Sequence, residues 1–276
     1  GSNNVGIGRS ALIQNTTGAG NVAVGYVALD ANTTASANTA IGQHALTDNT
    51  TGASNTAVGS GALGDNTTAD NNVAVGVNAL RVNTTGSENS AVGALALDAN
   101  TTGTGNTAVG LNSLSQNQTG SYNTGVGYKA LENNTSTNIT GYGVHALRAN
   151  TSGSSNTALG GYCLAANTTG DNNVAVGHAA LEDNTTANNN TAIGFQALRE
   201  NTTGTQNVAV GSNALDANTT GDSNTAIGHL ALSANTTGVN NVALGLNTLS
   251  ANTTGNSNIA IGKDALSTCT TDASDN

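Results

Sequence analysis

Small apolar residues, aliphatic residues and asparagines recur along the chain with a period of 17 residues. The consensus of the repeat is N-[TV]-A-[VI]-G-x-x-A-L-x-x-N-T-T-G-x-x, with positions numbered 1 to 17. Sixteen copies follow one another, and every step is 17 residues except the one into Ile139, which is 16. The copies begin at residues 4, 21, 38, 55, 72, 89, 106, 123, 139, 156, 173, 190, 207, 224, 241 and 258. A short fixed period of this kind is the signature of a repeat architecture.

Positions 1 to 5 alternate as a β-strand does. Val or Thr at position 2 and Val, Ile or Leu at position 4 share one face, and Ala at position 3 lies on the other. Gly at position 5, present in all sixteen copies, ends the strand where φ is positive or another backbone passes closely. Ala-Leu at positions 8 and 9 predicts a second short strand, and N-T-T-G predicts a third extended piece or a turn. Helix is disfavoured by this content of Thr, Val, Asn and Gly.

Each repeat is therefore predicted to form one coil of an all-β, parallel β-solenoid of sixteen coils, a single repeat domain over residues 1–276. Coils stack at about 4.8 Å, which gives a rod of roughly 75 Å. We expect a narrow core of aliphatic columns at positions 2, 4 and 9, and association between chains through the Ala face. The predicted core leucines are Leu12, Leu29, Leu46, Leu63, Leu80, Leu97, Leu114, Leu131, Leu147, Leu164, Leu181, Leu198, Leu215, Leu232, Leu249 and Leu266.

Asparagine occupies position 12 in fifteen copies, and Cys269 replaces it in the last. We expect amide ladders here and at position 1, in which each side chain bonds its equivalent one coil above and below. The position-12 asparagines also begin N-x-[ST] sequons, so a glycosylated edge is the alternative, although sugars one coil apart would crowd. Ile139 replaces a position-1 Asn and should break that ladder locally. The predicted structural ladder is Asn15, Asn32, Asn49, Asn66, Asn83, Asn100, Asn117, Asn134, Asn150, Asn167, Asn184, Asn201, Asn218, Asn235 and Asn252.

Composition narrows the classes of function. The 276 residues contain no Pro, Trp or Met, one Phe, five Tyr and 8% charged residues, which excludes a compact aromatic core. The net charge of -10 comes from 16 acidic and 6 basic residues scattered singly, so we expect no nucleic-acid binding. No apolar run approaches the ~20 residues of a membrane helix, so we expect no membrane insertion. Strict periodicity argues against a disordered low-complexity segment.

The segments NVAVG (21–25), NTAIG (38–42) and NTAVG (55–59) resemble the head repeat of the YadA-like trimeric autotransporter adhesins, whose motif is of the type N-S-V-A-I-G. The whole unit NTAIGQHALTDNTTGAS (38–54) is also similar to repeat arrays of bacterial surface proteins and phage-type tail fibres. The resemblance implies a left-handed β-roll, three chains side by side, an extracellular or cell-surface location and an adhesive role. The family's repeat is usually a few residues shorter than 17.

The residues that could carry chemistry are dispersed. His44 and His145 occupy position 7, and His178 and His229 position 6, on separate coils, so we interpret them as solvated turn residues and expect no metal or cofactor. Cys163, at position 8, is predicted to be a small buried residue about six coils from Cys269, too far for a disulfide. The tyrosines are interpreted as filled turns, with a local sticky patch as the alternative. One exposed acidic edge is predicted at positions 10 and 11, formed by Asp30, Asp48, Asp65, Asp98, Glu132, Glu182, Asp183, Glu200 and Asp216.

These patterns favour a non-enzymatic, extracellular structural or adhesive fibre segment that displays variable turns from a rigid rod. Expected partners are copies of the chain itself, as a homotrimer or an end-to-end filament, and a host-surface or glycan ligand. One alternative is a self-polymerising filament subunit. Another is an ice-binding solenoid using stacked Thr at positions 13 and 14 and intermittently at position 2, although adjacent Thr point to opposite sides and leave one outward column.

Overall fold

The computed structural model describes residues 1–269 and is all-β, with two compact units, Gly1–Asn138 and Ile139–Asn276. Each described repeat contributes one three-residue strand. The first unit contains β1 (Val5–Ile7), β2 (Val22–Val24), β3 (Thr39–Ile41), β4 (Thr56–Val58), β5 (Val73–Val75), β6 (Ser90–Val92), β7 (Thr107–Val109) and β8 (Thr124–Val126). The second contains β9 (Thr140–Tyr142), β10 (Thr157–Leu159), β11 (Val174–Val176), β12 (Thr191–Ile193), β13 (Val208–Val210), β14 (Thr225–Ile227), β15 (Val242–Leu244) and β16 (Ile259–Ile261).

Strands within each unit pair in parallel with their neighbours in chain order. Equal repeat positions face each other, so that Ala91 of β6 pairs with Ala108 of β7 and Ala226 of β14 with Ala243 of β15. This register confirms the predicted parallel β-solenoid with one 17-residue repeat per coil. The single domain predicted over residues 1–276 and the left-handed coil stay predictions. No helix that could cross a membrane occurs in the part of the chain that the structure describes.

Glycine at position 5 ends each strand for two reasons. Its φ lies between 116° and 142° in all sixteen coils, a conformation that L side chains rarely adopt. A Cβ built on Gly42 would also collide with the carbonyl group of Gly59 in the next coil. The backbones of successive coils therefore pass too closely at this position for any side chain.

Positions 8 and 9 form a turn, and the predicted second strand there is wrong. Leu at position 9 has a left-handed φ of 50° to 56° in every coil, and position 7 is also left-handed. Two left-handed residues so close together reverse the chain and prevent an extended strand. β-Branched side chains are disfavoured at positive φ, which favours Leu over Ile or Val at position 9.

The core lies on the Ala face of the strands, so the predicted core at positions 2 and 4 is wrong. Ala91, Ala96 and Leu97, at positions 3, 8 and 9 of one coil, are 0% exposed, whereas Val92 at position 4 is 40% exposed. At position 3 the interior is too narrow for a side chain larger than that of Ala. A Cβ added at Gly6, also at position 3, would lie 3.5 Å from the Ala11 carbonyl oxygen, so little more than a methyl group fits. The Ala face is consequently unavailable for association between chains.

Leucine at position 9 is fully buried in every coil except the first and the last. Leu12 is half-buried, and Leu266 is 39% exposed and departs from the predicted core. Both have a packed coil on one side only within the described residues. The remaining fourteen leucines provide most of the large side chains of a core otherwise built mainly from alanine methyl groups and asparagine amides.

Candidate functional site

Position-12 asparagines form a hydrogen-bonded ladder inside each unit. Nδ2 of Asn66 donates to Oδ1 of Asn49 at 2.8 Å and to the carbonyl oxygen of Ala69 at 3.1 Å. Links of 2.8 to 3.4 Å join successive members over 15–117 and 150–252. The predicted ladder is confirmed over 15–117 and 150–252. The bond to position 15 also fixes the N-T-T-G turn within its own coil.

Burial of this ladder decides between the two interpretations of the sequons. Every position-12 asparagine except Asn15 is 0% exposed. N-glycosylation modifies the same Nδ2 that donates the ladder bond, and the sugar would have no space inside a coil. A folded coil is therefore incompatible with a sugar at position 12, apart from the half-buried Asn15.

The ladder is interrupted where the repeat changes. Oδ1 of Asn117 and Oδ1 of Asn252 are buried and accept no hydrogen bond. In the shortened coil that follows Asn117, Nδ2 of Asn134 donates to the Ser136 carbonyl oxygen at 3.1 Å, two residues away rather than three. After Asn252 the corresponding residue is Cys269, which has no amide to donate. Both gaps coincide with departures from the 17-residue consensus.

Position-1 asparagines form a second ladder, which links side chain to backbone. The backbone N–H of Asn106 donates to Oδ1 of Asn89 at 2.9 Å, and Nδ2 of Asn106 donates to the Gly120 carbonyl oxygen at 2.9 Å. Equivalent backbone-to-amide bonds of 2.8 to 3.0 Å recur through both units. Ile139, which is fully buried, has no side-chain acceptor, so the predicted local break occurs at this residue.

Position 16 has a structural role that the sequence analysis missed. Its polar side chains accept a hydrogen bond from the position-16 backbone N–H of the preceding coil. Oδ1 of Asp70 accepts from Ala53 at 2.6 Å, and Oδ1 of Asn188 accepts from Asp171 at 2.6 Å. The frequent Ser, Thr, Asp and Asn at this position were the available signal, because these side chains readily bond to nearby backbone.

Positions 2 and 4 of the strands create an exposed surface, here called the aliphatic face. Its position-4 column is Val, Ile or Leu in every coil except at Tyr142, and its position-2 column is Thr, Val, Ser or Ile. Val75 is 36% and Ile193 40% exposed. Neither column contains a charged residue along any strand of the two units. Each unit therefore presents an uncharged, mostly aliphatic sheet surface to solvent.

The two threonine columns differ in their contacts. At position 13, Oγ1 of Thr16 donates to the Thr33 carbonyl oxygen at 2.9 Å, and Oγ1 of Thr219 donates to that of Thr236 at 3.1 Å. At position 14, Thr102 and its equivalents are exposed. One outward threonine column is therefore present, as the alternation of adjacent residues predicts.

Two surface clefts open at positions 7, 10 and 11, one in each unit. Cleft A, in the second unit, has a volume of about 600 Å³. Cleft B, in the first unit, has a volume of about 300 Å³. Cleft A is lined by His145, Arg148, Ala149, Tyr162, Ala165, Ala166, Glu182 and Asp183. Cleft B is lined by His44, Thr47, Asp48, Ser60, Gly61, Gly64, Asp65, Asn78 and Arg81.

Aromatic rings form a continuous column beside cleft A. The His145 and Tyr162 rings stack with centroids 5.2 Å apart, Tyr162 tilts against His178 at 5.8 Å, and His178 stacks on Phe195 at 5.7 Å. The interpretation of the histidines as solvated turn residues and of the tyrosines as filled turns did not foresee such contacts. In the described residues no group of three or more His, Cys, Asp or Glu could hold a metal ion.

Burial changes the ionisation of several side chains. It raises the pKa of the Cys163 thiol to about 11. The thiol of Cys163 donates to the Gly177 carbonyl oxygen and is protonated at neutral pH, hence unreactive. Both cysteines are free thiols. At position 10, burial likewise raises the pKa of Asp30, Asp98 and Asp216. Part of the predicted exposed acidic edge is therefore partly buried.

The fold and these surfaces place the chain in the class of parallel β-solenoids. No family model matches it, and no significantly similar protein is found among curated proteins or solved structures. The resemblance to YadA-like head repeats therefore stays a prediction that rests on the repeat motif.

Proposed function

We propose that this chain is a non-enzymatic structural segment of an extracellular or cell-surface fibre, which associates with copies of itself and displays its variable turns. The aliphatic face carries the proposal. Two parallel columns of uncharged, mostly aliphatic side chains are left open to water in each unit, although the interior has no room for them. Covering this face with a second copy removes apolar surface from water, which favours association.

The dimensions of the face suit such a contact. Eight strands at about 4.8 Å spacing and a width of about 10 Å give roughly 340 Å² for each unit. The largest apolar patch on a typical soluble monomer is about 300–600 Å² and is often functional, and the aliphatic face of each unit falls within that range. The homotrimer implied by the resemblance is the assembly we propose, because three chains side by side can turn their aliphatic faces towards one axis. An end-to-end filament is the alternative.

The solution mass tests this assembly. Light scattering should give the mass of a trimer for the parent chain. Replacing Val92 and Val109, both on the aliphatic face, with Lys places charges in the contact and should give monomers with an unchanged circular dichroism spectrum. The matched control replaces Thr102 and Thr119, exposed position-14 residues of the same two coils, with Lys and should remain trimeric.

Three results would contradict the proposed assembly. A monomeric parent chain would exclude self-association. An ice-growth assay would then be the next measurement, since one outward threonine column is present. Long unbranched fibres would favour the filament alternative. An equal loss of association in the face and control variants would show that added charge, rather than the aliphatic face, is responsible.

A further inference from the structure

Clefts A and B share one construction, although they lie in different units. Each is floored by small residues in one coil and walled by long polar side chains of the coils on either side. Ala165 and Ala166 form part of the floor of cleft A, and Gly61 and Gly64 that of cleft B. Each cleft also contains a position-7 histidine, a position-10 arginine and two carboxylates at position 10 or 11.

In cleft A the walls have opposite charge and do not neutralise each other. Arg148 lies one coil below the floor, and Glu182 and Asp183 lie one coil above it, so their backbones are about 10 Å apart. None of the four ion pairs in the described residues involves these three side chains. Arg148 donates instead to Nδ1 of His145 at 3.2 Å, which holds the guanidinium at the rim.

Such a cleft requires a ligand that donates on one side and accepts on the other. The Arg148 guanidinium can only donate hydrogen bonds, whereas ionised Glu182 and Asp183 can only accept them. A sugar hydroxyl does both, and the C–H face of a sugar ring can lie on the alanine floor. The Tyr162 ring stacks on His145 on one side and tilts against His178 on the other, so it offers no open face on which a sugar could stack.

We infer that clefts A and B are saccharide-binding sites, in which the arginine and the carboxylates bind hydroxyl groups of one sugar ring above a small-residue floor. The inference deepens the proposed display of variable turns and rests on it. It also identifies the turns that bind a ligand, which are those where neighbouring coils differ in side-chain size. Cleft A is the principal site, because Arg81 in cleft B lies 3.8 Å from Asp65 and is partly neutralised.

The test is a titration of the ¹⁵N-labelled chain, followed by NMR, with methyl glucoside, methyl galactoside, methyl mannoside and N-acetylglucosamine. At least one sugar should produce saturable shifts at residues 148, 165, 166, 182 and 183 at millimolar concentrations. Arg148→Ala and Glu182→Gln should each weaken its binding by about tenfold, the loss of a charged hydrogen bond. Glu88→Gln, at an exposed turn outside both clefts, should bind as the parent does.

The absence of saturable shifts with all four sugars would overturn the inference, as would equal affinity in the parent and in both cleft variants. Binding of γ-aminobutyrate in place of the sugars would reassign the cleft to a zwitterionic ligand. These spectra report on the cleft whatever the mass of the particle. Failed sugar binding and failed self-association are therefore separate results.

Discussion

Asn100, which has a ladder partner on both sides in the first unit's position-12 ladder, offers the most direct test of what holds the coils together. Its Nδ2 donates to Oδ1 of Asn83 at 2.8 Å and to the Gly103 carbonyl oxygen at 3.0 Å, and its Oδ1 accepts from Asn117 at 3.2 Å. Asn100→Ala removes all three hydrogen bonds from a site that is 0% exposed.

The cost follows from the partners left behind. Gly103 keeps its bond from Asn89, and Asn117 keeps its bond to Gly120, but Oδ1 of Asn83 loses its donor. One orphaned buried acceptor costs about 1–3 kcal/mol, and each other lost bond about 0.5–1.5 kcal/mol. The free energy of unfolding should therefore fall by about 2–6 kcal/mol.

Urea unfolding followed by circular dichroism measures this difference, with Thr102→Ala as the matched control. Thr102 lies two residues away in the same coil and is exposed, so its substitution should change stability by less than about 0.5 kcal/mol. Amide hydrogen exchange should show the lost protection centred on the coils of Asn83, Asn100 and Asn117. A destabilisation by Asn100→Ala no larger than that by Thr102→Ala would refute the structural role of the ladder.

Three further outcomes follow from the fold. Leu97→Ile conserves side-chain volume, but it should lower the free energy of unfolding by about 2–3 kcal/mol in urea titrations, because Leu97 has a φ of 54° and Ile is β-branched. The control Leu97→Met should lower it by less than about 1.5 kcal/mol. Burial raises the pKa of the Asp98 carboxyl, so the contribution of this group to stability is full below its unfolded pKa and is lost as pH rises through its folded pKa. Asp98→Asn should therefore raise the urea midpoint at pH 7 but not near pH 3. Equal increases at the two pH values would contradict this argument. Expression in a secretory pathway that adds N-glycans should yield misfolded chains, and replacing the Thr or Ser at every position 14 with Val should restore folding. A folded chain carrying sugars at position 12 would exclude the buried ladder.

Features that depend on residue identity could be predicted from the sequence. The period, the strand at positions 2–4 and the glycine that ends it follow from the spacing and from the chemistry of glycine. The Asn49–Asn66 bond followed from the recurrence of an amide at one position of every coil. The clefts could not be predicted, because they depend on which side chains of consecutive coils lie beside one another. Ala165, for example, becomes the floor of a cleft only because Arg148 and Glu182 lie on the coils on either side of it.

The orientation of the strand shows why hydrophobicity was misleading. Alternation assigns positions 2 and 4 to one face and position 3 to the other, but it does not say which face is inside. A rule based on hydrophobicity places Val and Ile in the core, whereas a coil of 17 residues with left-handed turns at positions 7 and 9 has room only for Ala beside Leu. Variation was the better signal: position 4 accepts Tyr142, whereas position 3 is never larger than Ala. In so thin a solenoid the side chains that vary in size must face outwards, so an aliphatic residue kept there is available for contact with another molecule.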